Sequence, residues 1–314
     1  MELGRANLDV YADTLLEIAS QDRDVLVVTS DSRGSGKLTH FGDVLPEQII
    51  EVGIAEQNVI GIAAGLASAG KKVFATSPAC FITARSLEQI KNDVAYSNQP
   101  VRVIGISAGV SYGALGATHH SLHDFAVLRA INNITIIAPA DNFETRETIQ
   151  ALQRYPHPVY VRFGKAPQRH VHPQGSRFEI GKAALLQDGQ DLTFIACGET
   201  VSVALAAAQQ LQAEGTSTRV LSMHTIKPLD EEAVLKAARE TRAIITVEEH
   251  SVHGGLGEAC AALLMQNGAS LPFKIKGFPD EYMVTGSQSE IFNHYGISTN
   301  GLAETARRLL YIKA

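Results

Sequence analysis

The stretch FGDVLPEQIIEVGIAEQNVIGIAAGLASAG, Phe41 to Gly70, decides how this chain is read. Its segment IIEVG has the β-branched character of a short strand ending at Gly53. The following residues have helical spacing. Val59, Ile60 and Ala63 are apolar, and Gly61, Ala64, Gly65 and Ala67 would let another backbone approach closely. One residue is out of keeping: Glu56 places a carboxylate in the first turn of a run built for close packing. A first-turn acid offsets the helix dipole while staying partly exposed. In a dry pocket the same carboxyl is hard to ionise, and a protonated carboxyl can donate a short hydrogen bond to a heteroaromatic nitrogen. Spacing alone leaves both roles open.

Working outward, the strand–helix alternation repeats. The runs VLVVT, KVFAT, VRVIGIS, ITIIAPA and PVYVRF alternate with helical patterns over Asn7–Ser20, Ala55–Ala69 and Phe143–Arg154. The segment from Gly164 to Arg177, rich in Pro, Gly, His and Gln, interrupts the pattern. Alternation then resumes with DLTFIACG, a helix over Thr200–Ala213, STRVLSMHT, RAIITVEEH, a helix opening near Gly255, and PFKIKGF. The expected fold class is therefore α/β in two domains, each a mostly parallel sheet flanked by helices. The domains are placed at residues 1–165 and 177–314, with a linker at 166–176.

Composition limits the function classes. A chain of 314 residues is too long for one ordinary core and fits two domains. The net charge of -6, with no Lys/Arg block, offers no basic face for nucleic acid. No apolar stretch reaches membrane-span length, and the start MELGRANLDV does not resemble a signal peptide. Cys80, Cys197 and Cys260 are odd in number and far apart, as suits reduced core thiols. A soluble, cytoplasmic protein is expected.

Metal chemistry has little support. In THHSLHD, His119 and His123 stand four apart, a spacing that could ligate zinc on a helix, but no third imidazole or thiolate follows at a suitable spacing. His120 and His123 read as helix-surface or capping residues, and His250 and His253 as structural residues of a strand-to-helix turn.

The segments VGIAEQNVIGIAAGLASAG, ATSPACFITARSLEQIKNDVAY, GVSYGALGATHHSLHDFAVLRAINNITIIAPAD and PVYVRFGK resemble the pyrimidine-binding domain of the thiamine-diphosphate enzymes of the transketolase type. IKPLD and VEEHSVHGGLG resemble the transketolase C-terminal domain, so the likeness covers nearly the whole chain. GIAEQ, GATHH and VEEH…GGLG are individually weak signals, but in this order they are specific. The resemblance implies that Glu56 hydrogen-bonds the pyrimidine N1' of thiamine diphosphate and so promotes the cofactor's activation. It implies that Phe81 stacks on the pyrimidine, that Asp31 lies near the cofactor and that His119 faces the substrate. Core packing for Phe81 and turn capping for Asp31 stay open beside these roles.

The same likeness implies a sugar-phosphate site of Arg5, Ser35 and Arg162, with Ser107 standing where the family usually has His. Arg162 could equally be a strand-end arginine paired with a surface acid. Leu115 occupies the place of an Asp that reads a donor hydroxyl. Leucine cannot accept that hydrogen bond, so the preferred sugar should differ from the usual donors, as a branched or modified sugar phosphate would.

Enzymes of this type hold the diphosphate through a divalent metal bound by GDG and a downstream Asn. That pattern does not occur in the sequence; LQDGQDL, Leu186 to Leu192, is a polar turn. The resemblance thus implies one half of a split transketolase that moves a two-carbon ketol unit between sugar phosphates. A partner subunit, the N-terminal section, would hold Mg2+ or Ca2+ and the diphosphate, in an α2β2 assembly. The β subunit of a 2-oxoacid dehydrogenase and a non-catalytic scaffold that kept the fold are the alternatives.

Overall fold

The computed structural model describes residues 1–311. In chain order the strands are β1 (Leu3–Ala6), β2 (Val25–Thr29), β3 (Ile49–Glu51), β4 (Lys72–Pro78), β5 (Arg102–Ile106), β6 (Thr135–Ile137) and β7 (Val159–Phe163). They continue as β8 (Pro167–Arg169), β9 (Ala184–Gln187), β10 (Leu192–Ala196), β11 (Thr218–Ser222), β12 (Thr225–Lys227), β13 (Ile244–Ser251) and β14 (Phe273–Phe278). A seven-stranded sheet has the order β12-β6-β7-β5-β4-β2-β3, and a five-stranded sheet the order β14-β13-β10-β11-β9. Within each, one edge strand is antiparallel, β12 in the first and β9 in the second. The two-domain, mostly parallel α/β fold read from the alternation is the fold observed.

Central strands are buried along their whole length. RVIGI of β5 and VYVRF of β7 are buried at every position, so apart from Arg102 and Arg162 they read as apolar runs and not as alternation. One face packs on the helix Asn7–Ala19, where the Tyr11 ring stacks on Phe163 at 5.2 Å. The other face packs on the helix Glu56–Ser68 through Val59, Ile60 and Ala63. The helices Asn142–Leu152, Thr200–Ala213 and Leu256–Gln266 lie where periodicity puts them. Cys80, Cys197 and Cys260 are buried and unpaired. Among the described residues, no helix is long and apolar enough to cross a membrane.

Two features depart from a simple pair of domains. Residues 166–176, read as a linker, contain β8, which pairs antiparallel with β1 (Leu3↔Arg169, Ala6↔Pro167). A connecting segment needs partners for its backbone groups, and the N-terminal strand supplies them. Strand β12, from the second half of the chain, pairs with β6 and closes one edge of the first sheet.

The connecting segment is also fastened by charge. The His172 ring sits between two buried carboxylates, with Nδ1 3.1 Å from Asp141 Oδ2 and Nε2 3.2 Å from Glu144 Oε1. Asp141 accepts the Val171 N–H at 2.9 Å and caps the helix Asn142–Leu152. Glu144 accepts the Ser222 hydroxyl at 2.6 Å, tying the latch to the second sheet. Burial alone would lower the His172 pKa, but its hydrogen bond to Asp141 and the two adjacent carboxylates outweigh burial and raise it to about 9. A folded-state pKa above the unfolded value of about 6.5 means the latch contributes fully below that value and is lost as pH rises through about 9. The urea midpoint should therefore fall across this alkaline window, and His172→Gln should flatten that part of the profile. A midpoint falling as steeply in the variant as in the wild type would refute the latch.

Candidate active site

In open α/β sheets, ligands bind beyond the carboxyl ends of the strands. The first sheet sends its chemistry-bearing residues to that end. Asp31 and Ser35 follow β2, Glu56 follows β3, Phe81 follows β4, Ser107 follows β5 and Lys165 follows β7.

Glu56 opens the helix Glu56–Ser68 and is 3% exposed. Its Oε2 lies 3.1 Å from Arg85 Nη1. The Arg85 guanidinium lies 5.2 Å over the Phe81 ring, one helical turn earlier. Phe81 meets His119 edge-on at 5.3 Å, and His119 meets Tyr112 edge-on at 5.4 Å. Lys165 Nζ lies 4.7 Å over the Tyr112 ring. The Tyr112 hydroxyl adjoins Ser107 and Ser35; burial raises its pKa, and those neighbours offset part of the rise. Glu56, Arg85, Phe81, His119 and Tyr112 thus form one run of contacts, with Ser35 and the fully buried Ser107 beside Tyr112. Sequence reasoning missed Arg85, Tyr112 and Lys165 on it. The four-residue spacing of Phe81 and Arg85 was the available signal for the first.

The wall fits a pyrimidine. Glu56 is buried with one oxygen on Arg85, while Oε1 accepts no hydrogen bond from the described residues. A heteroaromatic nitrogen is an acceptor, so a carboxyl protonated at Oε1 would donate to it there. The half-buried Phe81 ring beside it offers a stacking face.

Other expected site residues lie elsewhere or do different work. Asp31 is exposed at φ +47°, and its N–H donates to Glu51 Oε1 at 2.6 Å. Arg5 pairs with Asp13 at 2.7 Å, and both side chains are more than half exposed. Arg162 is a correction to both of its readings. It is enclosed, with Nη1 2.9 Å from Asp124 Oδ1 and Nη2 donating to the Glu249 carbonyl at 2.9 Å. Its guanidinium lies 3.9 Å over Phe125. Asp124 also accepts the Tyr160 hydroxyl at 2.7 Å. Burial works to raise the Asp124 pKa, but Arg162, His250 and Tyr160 outweigh it and hold the carboxyl below its ordinary value. Arg162 therefore belongs to a buried ion pair, neither at a channel mouth nor on the surface.

The histidines separate clearly. His120 is buried and donates from Nε2 to the Gly113 carbonyl at 2.9 Å, so it is not a helix-surface residue. Burial lowers its pKa. His123 precedes the helix Asp124–Arg129 without a side-chain cap, its Nε2 3.3 Å from Thr83 Oγ1. His250 stacks on Phe125 at 5.1 Å, donates from Nδ1 to the Ser251 carbonyl and accepts the Ala126 N–H at Nε2. That pattern is the neutral ring, and burial lowers its pKa to about 4. His253 is exposed near Glu258. Among the described residues, no group of three or more His, Cys, Asp or Glu is placed to hold a metal ion.

The loop that carries Tyr112 and His119 rests on the second domain. Val110 donates its N–H to Glu249 Oε1 at 2.8 Å, and Gln288 bridges Glu249 and Glu199 at 2.9 Å to each. Gly109, at φ +60°, leaves the space that the Glu249 carboxyl fills. Burial and then the charge of Glu249 raise the Glu199 pKa to about 8.

The comparisons with known proteins agree with this architecture. Residues 5–169 match the transketolase pyrimidine binding domain, and residues 181–302 match the transketolase C-terminal domain. The chain is 52% identical over 297 residues to one of the subunits of the apulose-4-phosphate transketolase of Phocaeicola vulgatus, covering 94% of this chain and 95% of that one. It is 35% identical over 301 residues to the SqwH subunit of the 6-deoxy-6-sulfo-D-fructose transketolase of Clostridium sp. strain MSTE9, covering 96% of this chain and 93% of that one. Among solved structures, a split gene transketolase described as an inactive β4 tetramer superposes with a TM-score of 0.88 at 33% identity. That match covers 99% of this chain and 100% of the other. With both domains matched and relatives aligned nearly end to end, the chain belongs to the transketolase family.

Proposed function

We propose that this chain is one half of a split, thiamine-diphosphate-dependent transketolase that moves a two-carbon ketol unit between sugar phosphates. The partner, an N-terminal section, would hold the diphosphate and a Mg2+ or Ca2+ ion. The observation that carries the reading is the buried Glu56 carboxyl, with one oxygen on Arg85 and the other unpartnered beside Phe81. Bound there, the cofactor would supply the electron sink that a carbon–carbon cleavage next to a carbonyl needs. Glu56 would hold a proton at Oε1 against the pyrimidine nitrogen, with Arg85 fixing the carboxyl's orientation through Oε2. Phe81 would support the ring, and His119 would face the sugar.

The exposed side of the helix Glu56–Ser68 suits a partner or second copy. A Cβ at Gly61 or Gly65 would meet open space, and Ile54 and Ile62 are exposed nearby in sequence. Small residues allow another backbone to approach such a face closely, which supports an α2β2 complex. The relatives' names, with apulose 4-phosphate in one and 6-deoxy-6-sulfo-D-fructose in the other, agree with the donor preference proposed from Leu115. Leu115 is 55% exposed on the loop beside His119, free to meet substrate. The experiment is cofactor-dependent ketol transfer by the two mixed chains, assayed over a panel of ketose phosphates. A modified or branched donor should be preferred; xylulose 5-phosphate as the best donor by a wide margin would overturn the Leu115 argument.

A further inference from the structure

We propose that Glu199, Glu249 and Gln288 of the second domain are positioning residues for the reaction. A proton kept between the two carboxylates lets them clamp the neck of the loop from Gly109 to Ser121, which carries Tyr112 and His119. The inference rests on the transketolase reading and deepens it.

The loop is pinched at its base. Gly109 pairs antiparallel with Ser121, whose N–H donates to the Gly109 carbonyl at 2.7 Å. Strand β13 holds both sides of that neck. The Val110 N–H donates to Glu249 Oε1 at 2.8 Å, and the Ser251 N–H donates to the Leu122 carbonyl at 3.1 Å. A Cβ at Gly109 would collide with the Glu249 carboxyl, so the contact is close. The tip is covered from the same domain, because a Cβ on Gly113 would collide with the Gly286 carbonyl. Two residues further on, Gln288 opens the helix Gln288–His294 and reaches the carboxylates with its side chain.

The chemistry of the pair sets its charge. Gln288 Nε2 donates to Glu199 Oε2 and to Glu249 Oε1 at 2.9 Å each, so both carboxyls meet at one amide nitrogen. Glu199 is 7% exposed and Glu249 3%, and two like charges so close and so enclosed do not both persist. The hydrogen bonds say which carboxyl keeps the proton. Glu249 Oε1 accepts from both Val110 and Gln288, which favours its ionised form. Glu199 Oε1 has no partner among the described residues and lies against Gly164. With its pKa raised to about 8, Glu199 is protonated at neutral pH and charged above that value.

The neighbouring charges do not relieve the pair. Arg162 from β7 favours ionisation, but it is already bound to Asp124, whose own charge opposes it at Glu249. Glu248 and His250 on β13 bond the Leu256, Gly257 and Ala126 N–H groups instead. Lys165, next after Gly164, stands over Tyr112, and Glu290 bonds Ser287. A second carboxylate charge is therefore unanswered, and the neck of the loop loosens when Glu199 ionises.

The test uses the reconstituted two-chain complex with wild type, Glu199→Gln and Gln288→Ala. Glutamine imitates the protonated carboxyl at every pH, and alanine removes the bridging donor. The first readout is kcat/KM at pH 7 divided by kcat/KM at pH 9. Loss of one proton near pH 8 makes that ratio about 10 in wild type, and it should stay below about 2 in Glu199→Gln. Gln288→Ala should lower kcat/KM about 10-fold already at pH 7, the scale of a lost hydrogen bond to a charged group. The second readout, amide hydrogen exchange over residues 109–121 expressed as protection factors, needs no turnover. Protection should fall between pH 7 and pH 9 in wild type, hold in Glu199→Gln and be low at both in Gln288→Ala. If the complex transfers no ketol unit, the function is wrong, yet exchange still reports on the clamp. Equal pH ratios in wild type and Glu199→Gln, or loop protection unchanged by Gln288→Ala, would overturn the inference.

Discussion

Glu56→Gln should lower kcat of the reconstituted enzyme by about 10²–10⁴-fold, the usual size of a lost proton-transfer role, while fold and assembly stay intact. The amide has nearly the carboxyl's shape, and its oxygen can still accept from Arg85. What it lacks is an acidic proton at the Oε1 position: its NH2 can donate a hydrogen bond there but cannot give the proton up. Arg85 is more than half exposed, so losing its counter-charge leaves water to solvate it and should cost little stability. The expected signature is therefore a collapse of kcat with unchanged circular dichroism and an unchanged urea midpoint. A variant retaining more than half the wild-type rate would remove Glu56 from catalysis.

Arg162→Ala should be the most destabilising of the substitutions considered, by about 3–5 kcal/mol, the cost of leaving one partner of a buried ion pair alone. The side chains of Arg162 and Asp124 are 4% and 0% exposed, so water cannot take the missing partner's place. The loss extends past one contact, because Arg162 also holds the Glu249 carbonyl and covers Phe125. Asp124→Asn should be costly for the same reason. The double variant should lose less than the sum of the singles, since the two groups form one network. Urea unfolding of all three variants reads this directly. An Arg162→Ala midpoint equal to wild type, with a raised KM for phosphorylated sugars, would restore the substrate role that its strand-end position suggests.

How far the sequence could be read depended on the range of the interactions involved. The helix Thr200–Ala213 was legible to the residue because an apolar periodicity and its flanking turns are local signals. β8, with the sequence PQR, carries no strand signal at all, and it exists because β1, at the start of the chain, needed a partner. β12 likewise crosses to the first sheet through a pairing that no local pattern announces. The site divides in the same way. Glu56 stood out because a carboxylate breaks an apolar run, and Phe81 and His119 were reached by motif. Arg85 in the last turn of its helix reads as a solvated dipole partner, and Lys165 reads as an ordinary loop cation. Arg162 was misplaced because nothing near it in the chain reveals Asp124, which comes from a different element 38 residues away.

The central claim is that this chain supplies the pyrimidine wall and another chain the diphosphate site. Calorimetric titration of thiamine diphosphate, with and without divalent metal, into this chain, into the partner and into their mixture tests it most directly. The account predicts weak binding at best by this chain alone, and tight, metal-dependent binding by the mixture that Glu56→Gln weakens. Tight, metal-dependent binding by this chain alone would contradict it.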